Sequence, residues 1–175
     1  MRVVSGKFRS KRIKAPKAIK ARPTTDFAKE SLFNILNNWF DLDTVEVLDL
    51  FSGTGNISYE FGSRGAQKIL AIDIAYVSQK FISKTAQEME LPLSAIKADV
   101  FRFIKSHVGQ YDIIFADPPY DHKEILTIPS LVLGKDLLKP KGILVVEHDK
   151  YTDFTKEERF LELRNYGKAC FSFFE

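Results

Sequence analysis

Four consecutive residues, Asp117-Pro118-Pro119-Tyr120, directly follow the apolar run Ile113-Ile114-Phe115-Ala116, where a buried strand is expected to emerge from its sheet. The two prolines remove two backbone N–H donors and hold the chain extended, which leaves carbonyl acceptors without competing donors. An exocyclic base nitrogen is a poor nucleophile because its lone pair is delocalised into the ring, so a catalyst must hold its N–H groups and aim the lone pair. Asp117 Oδ and the Pro118 carbonyl can accept those hydrogens, and Pro119 helps fix the turn. Tyr120 can stack on a base that has left its helix, with a methyl donor close by for in-line transfer.

A second constellation is Asp49-Leu50-Phe51-Ser52-Gly53-Thr54-Gly55, again after apolar residues. Its glycines let backbone approach a ligand closely, and the helix start that follows supplies oriented N–H groups. A dinucleotide fingerprint would want a third glycine at position 58, which is Ser58, and no lysine stands where a phosphate-cradling loop needs one. Those absences favour a different nucleoside ligand. Asp73 at the end of the next strand can accept hydrogen bonds from both ribose hydroxyls, and Asp99 after the third can meet an adenine amino group.

The elements that must position these residues alternate between apolar runs and amphipathic stretches, the pattern of an α/β domain. Thr24 or Thr25 can cap a helix running to about Trp39, with Pro23 stopping it from extending backwards. Strands are expected at Val45 to Leu50, Ile69 to Ile74, Ala95 to Ala98, Tyr111 to Ala116 and Ile143 to Glu147. Helices are expected at Asn56 to Ser63, Ala75 to Met89 and within Lys123 to Leu138. Right-handed crossovers make the first strands parallel neighbours. Arg159 to Arg164 and Ala169 to Phe174 suit a closing β pair, with Asn165 to Lys168 as the turn.

At 175 residues and 45% hydrophobic composition, the chain suits one domain with at most a small appendage. The N-terminus carries no secretory signal and no run is long enough to cross a bilayer, so a soluble, cytoplasmic protein without membrane contact is expected. The net charge of +3 hides an asymmetry: nine Lys/Arg and no acid lie in residues 1–25, and the remaining 17 bases face 23 acids. Such a basic arm suits contact with a polyanion, and Arg2, Lys7, Arg9, Lys11, Arg12 and Arg22 are its candidate RNA contacts. Val3-Val4 and Arg12-Ile13 flank Ser5-Gly6-Lys7 in a way that permits a short hairpin, with Phe8 available to stack on a base.

With these residues in place, the chain resembles the class I methyltransferases, Asp49 to Gly55 matching motif I and Asp117 to Tyr120 matching motif IV of the amino-methylating group. Arg22-Pro23-Thr24-Thr25-Asp26, followed by Glu30 to Leu36, is similar to the motif X segment of the bacterial RsmD family, which methylates N2 of a guanine in 16S rRNA. The opening Arg2 to Arg9, the basic Lys11-Arg12 and the closing Tyr166-Gly167-Lys168 extend the likeness over nearly the whole chain. Phe27-Ala28-Lys29 departs from it, standing where the family more often carries Arg-Val-Arg.

The resemblance implies a Rossmann-like, mostly parallel seven-stranded sheet with an antiparallel last strand and a small N-terminal hairpin. It divides the chain into a basic RNA-binding extension, 1–22, and an S-adenosylmethionine-dependent methyltransferase domain, 23–175. It implies that Asp49, Phe51, Ser52, Gly53, Gly55, Asp73, Ile74, Asp99, Val100 and Asp117 bind S-adenosylmethionine and that Thr24 and Thr25 enclose its amino-acid end. Asp117 to Tyr120 would hold the guanine. The implied substrate is 16S rRNA in small-subunit particles, with ribosomal proteins as further partners and the enzyme a monomer.

An aspartate opening motif IV occurs in enzymes acting on different amino groups, so the choice of guanine N2 rests on the whole-chain resemblance. The alternatives are a DNA adenine-N6 or cytosine-N4 methyltransferase and a non-catalytic module that binds S-adenosylmethionine and RNA. DNA enzymes that act alone usually carry an added target-recognition domain, for which 175 residues leave little space, and the complete Asp117 to Tyr120 motif disfavours a bare binding module. No metal is expected, because His107, His122, His148 and Cys170 lack ligand spacing. Cys170 reads as a core thiol, Phe101 and Phe103 as core packing, and Glu147-His148 either as cleft lining or as a polar strand exit.

Overall fold

The computed structural model describes residues 1–20 and 24–175, so Arg22 as an RNA contact and Pro23 as a helix stop lie outside the described residues, as does the expected domain boundary. Seven strands form one sheet: β1 (Glu46–Leu50), β2 (Lys68–Asp73), β3 (Leu93–Lys97), β4 (Tyr111–Ala116), β5 (Leu138–His148), β6 (Phe160–Tyr166) and β7 (Ala169–Phe174). Their spatial order is β3-β2-β1-β4-β5-β7-β6, the first five parallel and β7 antiparallel to both of its neighbours. This is the mostly parallel sheet with an antiparallel last strand that the sequence implied. Val47 to Leu50 and Ile113 to Ala116 are buried on both faces, which is why these strands read as unbroken apolar runs rather than alternating ones.

Helices α1 (Asp26–Trp39), α2 (Asn56–Ser63), α3 (Tyr76–Glu88), α4 (Val100–Ser106) and α5 (Ile128–Gly134) connect the strands, with a 3-10 turn at Ile125–Thr127. Among the described residues no helix is long and apolar enough to cross a membrane. Helix α4 was not anticipated, because seven residues are too few to display a period and Asp99 was read as a ligand residue. One oxygen of its carboxylate accepts from Arg102 N at 2.9 Å and caps the helix. Strand β5 begins five residues earlier than expected. Its first part pairs only with β4, through Tyr111 and Leu138, so Pro140 sits where β7 does not reach and no ladder donor is missed. The closing turn is tighter than expected, since Tyr166 already pairs with Ala169.

The basic arm is part of the core rather than a free tail. Val3 N donates to Lys11 O and Ile13 N to Met1 O, each at 3.0 Å, closing a minimal hairpin around one Arg2 to Arg12 bridge. Val3 and Ile13 are buried in the same cluster as Leu32, Phe33 and Ile82. Gly6 has φ +79°, and a Cβ there would lie 1.9 Å from Ser63 O, so only glycine permits this approach to α2. Phe8 differs from the expectation of a free stacking ring: it is half-buried against the core, with the Lys7 and Lys11 ammonium groups 5.2 and 5.6 Å from its centroid.

A buried ion pair holds the arm down. Thr25 caps α1 by accepting from Ala28 N, and the inward face of that helix carries Lys29, whose side chain is 1% exposed. Lys29 Nζ lies 3.3 Å from Glu60 Oε2 and donates to Arg2 O at 2.6 Å and Asn56 Oδ1 at 2.9 Å. Burial lowers the pKa of Lys29 and the facing Glu60 carboxylate opposes that shift. Glu60 also accepts from Val4 N, Ser5 N and Arg64 Nε, at 2.8, 3.0 and 2.9 Å. Glu60→Gln should therefore cost about 3–5 kcal/mol, because it strands a buried ammonium. Urea unfolding measures this, and faster amide exchange at Val4 and Ser5 should accompany it. A loss below about 1 kcal/mol with unchanged exchange would mean the pair does not anchor the arm.

Candidate active site

The sheet changes direction between β1 and β4. From β1 the chain winds through β2 to β3 on one side, then returns to β4 and β5 on the other, which opens a crevice at the carboxyl ends of the strands. The loop after β1 enters this crevice as a tight turn. Ser52 N donates to Ile72 O at 3.0 Å, Gly55 N to Ser52 O at 2.7 Å, and Gly53 N to Asp73 Oδ2 at 2.8 Å. Gly53 and Gly55 have φ of +52° and +79°. At Gly55 a Cβ would meet the Tyr59 ring at 2.8 Å, so the second glycine is needed both for conformation and for space.

Asp73 closes the other side of the turn. Its second oxygen accepts from Ala75 N at 2.8 Å, so both carboxylate oxygens are fixed by backbone while each keeps a lone pair. Ile74 beside it is 66% exposed, an apolar side chain left at the mouth. Ala98 N donates to Asp73 O at 2.9 Å, which brings the Asp99-Val100 segment to the same rim. Phe51, Phe101 and His122 gather on this side, His122 stacked on Phe101 with centroids 4.8 Å apart and Phe51 5.9 Å from Phe101. The histidine comes from the loop after Tyr120 and joins the two motifs.

Asp117 emerges next to the glycine turn, its N–H donating to Leu50 O at 3.2 Å. Pro118 is buried, Pro119 is exposed, and Tyr120 is half-buried. The Tyr120 hydroxyl donates to Glu147 Oε1 at 3.1 Å, and Glu147 Oε2 accepts from Thr24 Oγ1 at 3.0 Å. Glu147 thus ties the end of β4 to the segment that precedes α1, and of the two readings open for it the structure selects the one facing the motifs. Its neighbour His148 points to the opposite face, as strand alternation requires. There it is bonded to Ser172 Oγ at 2.8 Å, and burial lowers its pKa.

Contacts therefore join Ser52 to Gly55 and Gly53 to Asp73, Asp117 to the end of β1 at Leu50, and Tyr120 to Thr24 through Glu147, while the side chains of two other candidates are engaged elsewhere. Thr25 spends its hydroxyl on the α1 cap. Asp49 is 2% exposed and accepts a short hydrogen bond from Ser58 Oγ beneath the turn, so its side chain supports the loop from below. Ser58 is the residue that replaces the third glycine of a dinucleotide fingerprint, and its hydroxyl gives the substitution a purpose. Arg2, Lys7, Arg9, Lys11 and Arg12 are exposed on the hairpin, with Arg2 Nε paired to Asp26 at 3.1 Å. Among the described residues no group of His, Cys, Asp and Glu is arranged to hold a metal, and Cys170 is buried, its thiol pushed up by burial. Sequence reasoning missed Lys29, Glu60 and His122. A lysine on the inward face of α1 was the one signal available.

Burial pushes the Asp49 carboxyl up to about 7, with the Ser58 hydrogen bonds opposing and the Asp73 charge adding to the shift. The folded carboxyl thus keeps its proton to a higher pH than the unfolded one, which titrates near about 4. The native state binds the extra proton between those values, so this group makes stability fall as pH rises through that window and level off above it. Asp49→Asn removes the ionisation and keeps an oxygen for Ser58. Its Tm should decline less between about pH 5 and pH 8 than that of the native sequence; parallel curves would show that the Asp49 carboxyl does not titrate there.

Comparison with known proteins agrees with this geometry. The ribosomal RNA small subunit methyltransferase D of Haemophilus influenzae is 29% identical over 180 residues, covering 99% of this chain and 91% of the relative. A hypothetical protein of Thermus thermophilus has the same fold at a TM-score of 0.87 and 22% identity, covering 100% of this chain and 99% of that one. The T. thermophilus 16S rRNA N2 G1207 methyltransferase, solved with AdoMet and guanosine, superimposes at 0.70 with 18% identity over 89% of this chain and 44% of its own. Residues 1–175 match the family described as conserved hypothetical protein 95, and the chain belongs to that family, the RsmD family of methyltransferases.

Proposed function

We propose that this chain transfers a methyl group from S-adenosylmethionine to the exocyclic N2 of a guanine in 16S rRNA of the small ribosomal subunit. The observation that carries this reading is the single hydrogen bond from Asp117 N to Leu50 O. It sets an acceptor-rich turn for an amino group beside a glycine turn suited to a nucleoside. The relative named as small subunit methyltransferase D supports ribosomal RNA as the substrate, and the neighbour named for N2 of a guanosine supports the atom.

The residues present fit the cofactor. The positive-φ glycines leave backbone open to close approach, Asp73 retains lone pairs for two ribose hydroxyls, and exposed Ile74 offers an apolar edge to a purine. Thr24, held by Glu147, would close over the amino-acid end. Bound there, S-adenosylmethionine supplies a sulfonium methyl as the electrophile.

The protein's own work is orientation. Asp117 and the Pro118 carbonyl accept the two N–H groups of the guanine amine, which directs the nitrogen lone pair out of the ring plane toward the methyl. Tyr120 stacks on the extruded base, its ring held by the hydrogen bond to Glu147 so that little freedom is lost on capture. The basic extension, residues 1–22, draws in the RNA by its charge.

The test is incubation with tritiated S-adenosylmethionine and, separately, small subunits lacking the modification, naked rRNA and duplex DNA, followed by digestion to nucleosides and mass identification. N2-methylguanosine from the subunits is expected. Label on DNA adenine or cytosine would transfer the chain to a different substrate class, and no label despite cofactor binding would overturn the enzymatic reading. Asp117→Ala should lower the rate at least about a hundredfold while leaving cofactor affinity within about twofold; an unchanged rate removes Asp117 from the chemistry.

A further inference from the structure

Between the N-terminal hairpin and α3 lies a groove of about 510 Å³ that none of the motifs uses. Lys11, Arg12 and Lys14 form one wall, all exposed, and Lys80 and Lys84 rise from α3 on the other. The two helical lysines are one turn apart on the same face. Between the walls the floor is apolar, built from Ile13, Pro16, Val77 and Phe81, the last two half-buried. Five cations therefore face one carboxylate, Glu88, which lies 3.7 Å from Lys84 in an exposed pair that screening leaves weak. The rest of the chain beyond residue 25 is net acidic, so this concentration of positive charge is local and not a property of the surface at large.

We infer that this groove is a second RNA contact, a cleft that holds a single-stranded segment of the substrate by its phosphodiester backbone, with Lys80 and Lys84 as phosphate ligands alongside the hairpin. The inference rests on the RNA reading above and extends it from the arm to α3. Cations on two opposing walls enclose a strand, whereas a lipid surface would meet a flat face. The apolar floor gives sugars and bases a surface to lie on while the phosphates meet the walls. Val77 at one end of the groove is only four residues beyond Asp73, so a strand lying in it runs toward the rim of the crevice. The hairpin forms one wall because Glu60 and Ser63 pin it. Deleting it would strip Val3 and Ile13 from the core, so point variants on α3 are the cleaner probe.

The experiment compares the full chain with Lys80→Gln/Lys84→Gln and with Lys105→Gln/Lys135→Gln, which removes the same charge outside the groove. Fluorescence anisotropy follows a labelled single-stranded 16S rRNA segment across a potassium chloride series, without cofactor. The groove variant should bind more weakly, with the slope of log affinity against log salt shallower by about 0.7 for each lysine, while the control keeps the native slope. An unchanged slope in the groove variant, or an equal change in both, overturns the inference. Binding to phosphatidylglycerol vesicles in place of RNA overturns it in favour of a membrane surface. Calorimetry with S-adenosylmethionine, run separately, should give equal affinities for all three proteins. Failure of the native chain to bind it would sink the proposed reaction, while the groove is still decided by the RNA titration.

Discussion

The buried contact between Lys29 and Glu60 is the constraint on which the rest of the arrangement depends. Two charges withdrawn from water are each costly, by several kcal/mol, and they persist only where nearly every donor and lone pair is used. Here they are: the ammonium meets Glu60, Arg2 O and Asn56 Oδ1, and the carboxylate meets Lys29, Arg64 and the backbone of Val4 and Ser5. The pair therefore fixes three segments at once, α1, α2 and the hairpin. From Asn56 the network continues through Nδ2 to Thr24 O at 3.4 Å, from Thr24 to Glu147, and from Glu147 to Tyr120. A chain of polar contacts thus runs from the proposed RNA arm to the ring proposed to stack on the base, and from Lys29 onward every residue along it except Tyr120 is buried.

The second constraint is topological. Residues about 65 positions apart meet because β1 and β4 are neighbours at the one place where the winding of the sheet reverses, and loops leaving that place cannot be filled by a crossover helix. The register pairs Leu50 with Ala116, so the glycine turn and the Asp117 turn leave the sheet at the same height. Each is then stiffened by its own means, the first by left-handed glycines and the clamp from Asp73, the second by two prolines. Stiffness matters here because a reaction without an evident protein nucleophile draws its rate from geometry, and a turn that wandered by an ångström would lose it.

How far the sequence reaches follows from the same physics. Strands buried on both faces announce themselves as apolar runs, so β1 and β4 were placed to within a residue, and α2 was bounded by its glycine turn. Long-range partners left no local trace. Only its place on the apolar stripe with Leu32, Phe33 and Leu36 hints that Lys29 is buried, and its partner Glu60 is 31 residues away. Asp49 and Asp73 both stand near strand ends and look alike in sequence, yet one lies under the turn with Ser58 and the other clamps its rim; the register pairs Asp49 with Ala71, so Asp49 sits one side-chain pair deeper in the sheet than Asp73 on the same face. Asp99 was read as a ligand residue, and capping α4 occupies one of its oxygens while its segment still reaches the rim. Helix α4 itself was too short to register as a pattern.

Glu147 is where these constraints meet. One oxygen receives the hydroxyl of Tyr120 and the other that of Thr24, so the ring proposed to stack on the base and the residue proposed to close over the cofactor's amino-acid end are tied to the same carboxylate. Because Glu147 is 4% exposed, it cannot exchange either partner for water without cost, and a displacement of Thr24 is felt at Tyr120 through a rigid strand end rather than through solvent. In the proposed reaction the two ligands must be present together and in line, and a shared anchor makes the position of one depend on the position of the other. The backbone supplies the crevice, and this carboxylate, carried on β5 and fixed by the sheet, holds Thr24 and Tyr120 in place relative to each other.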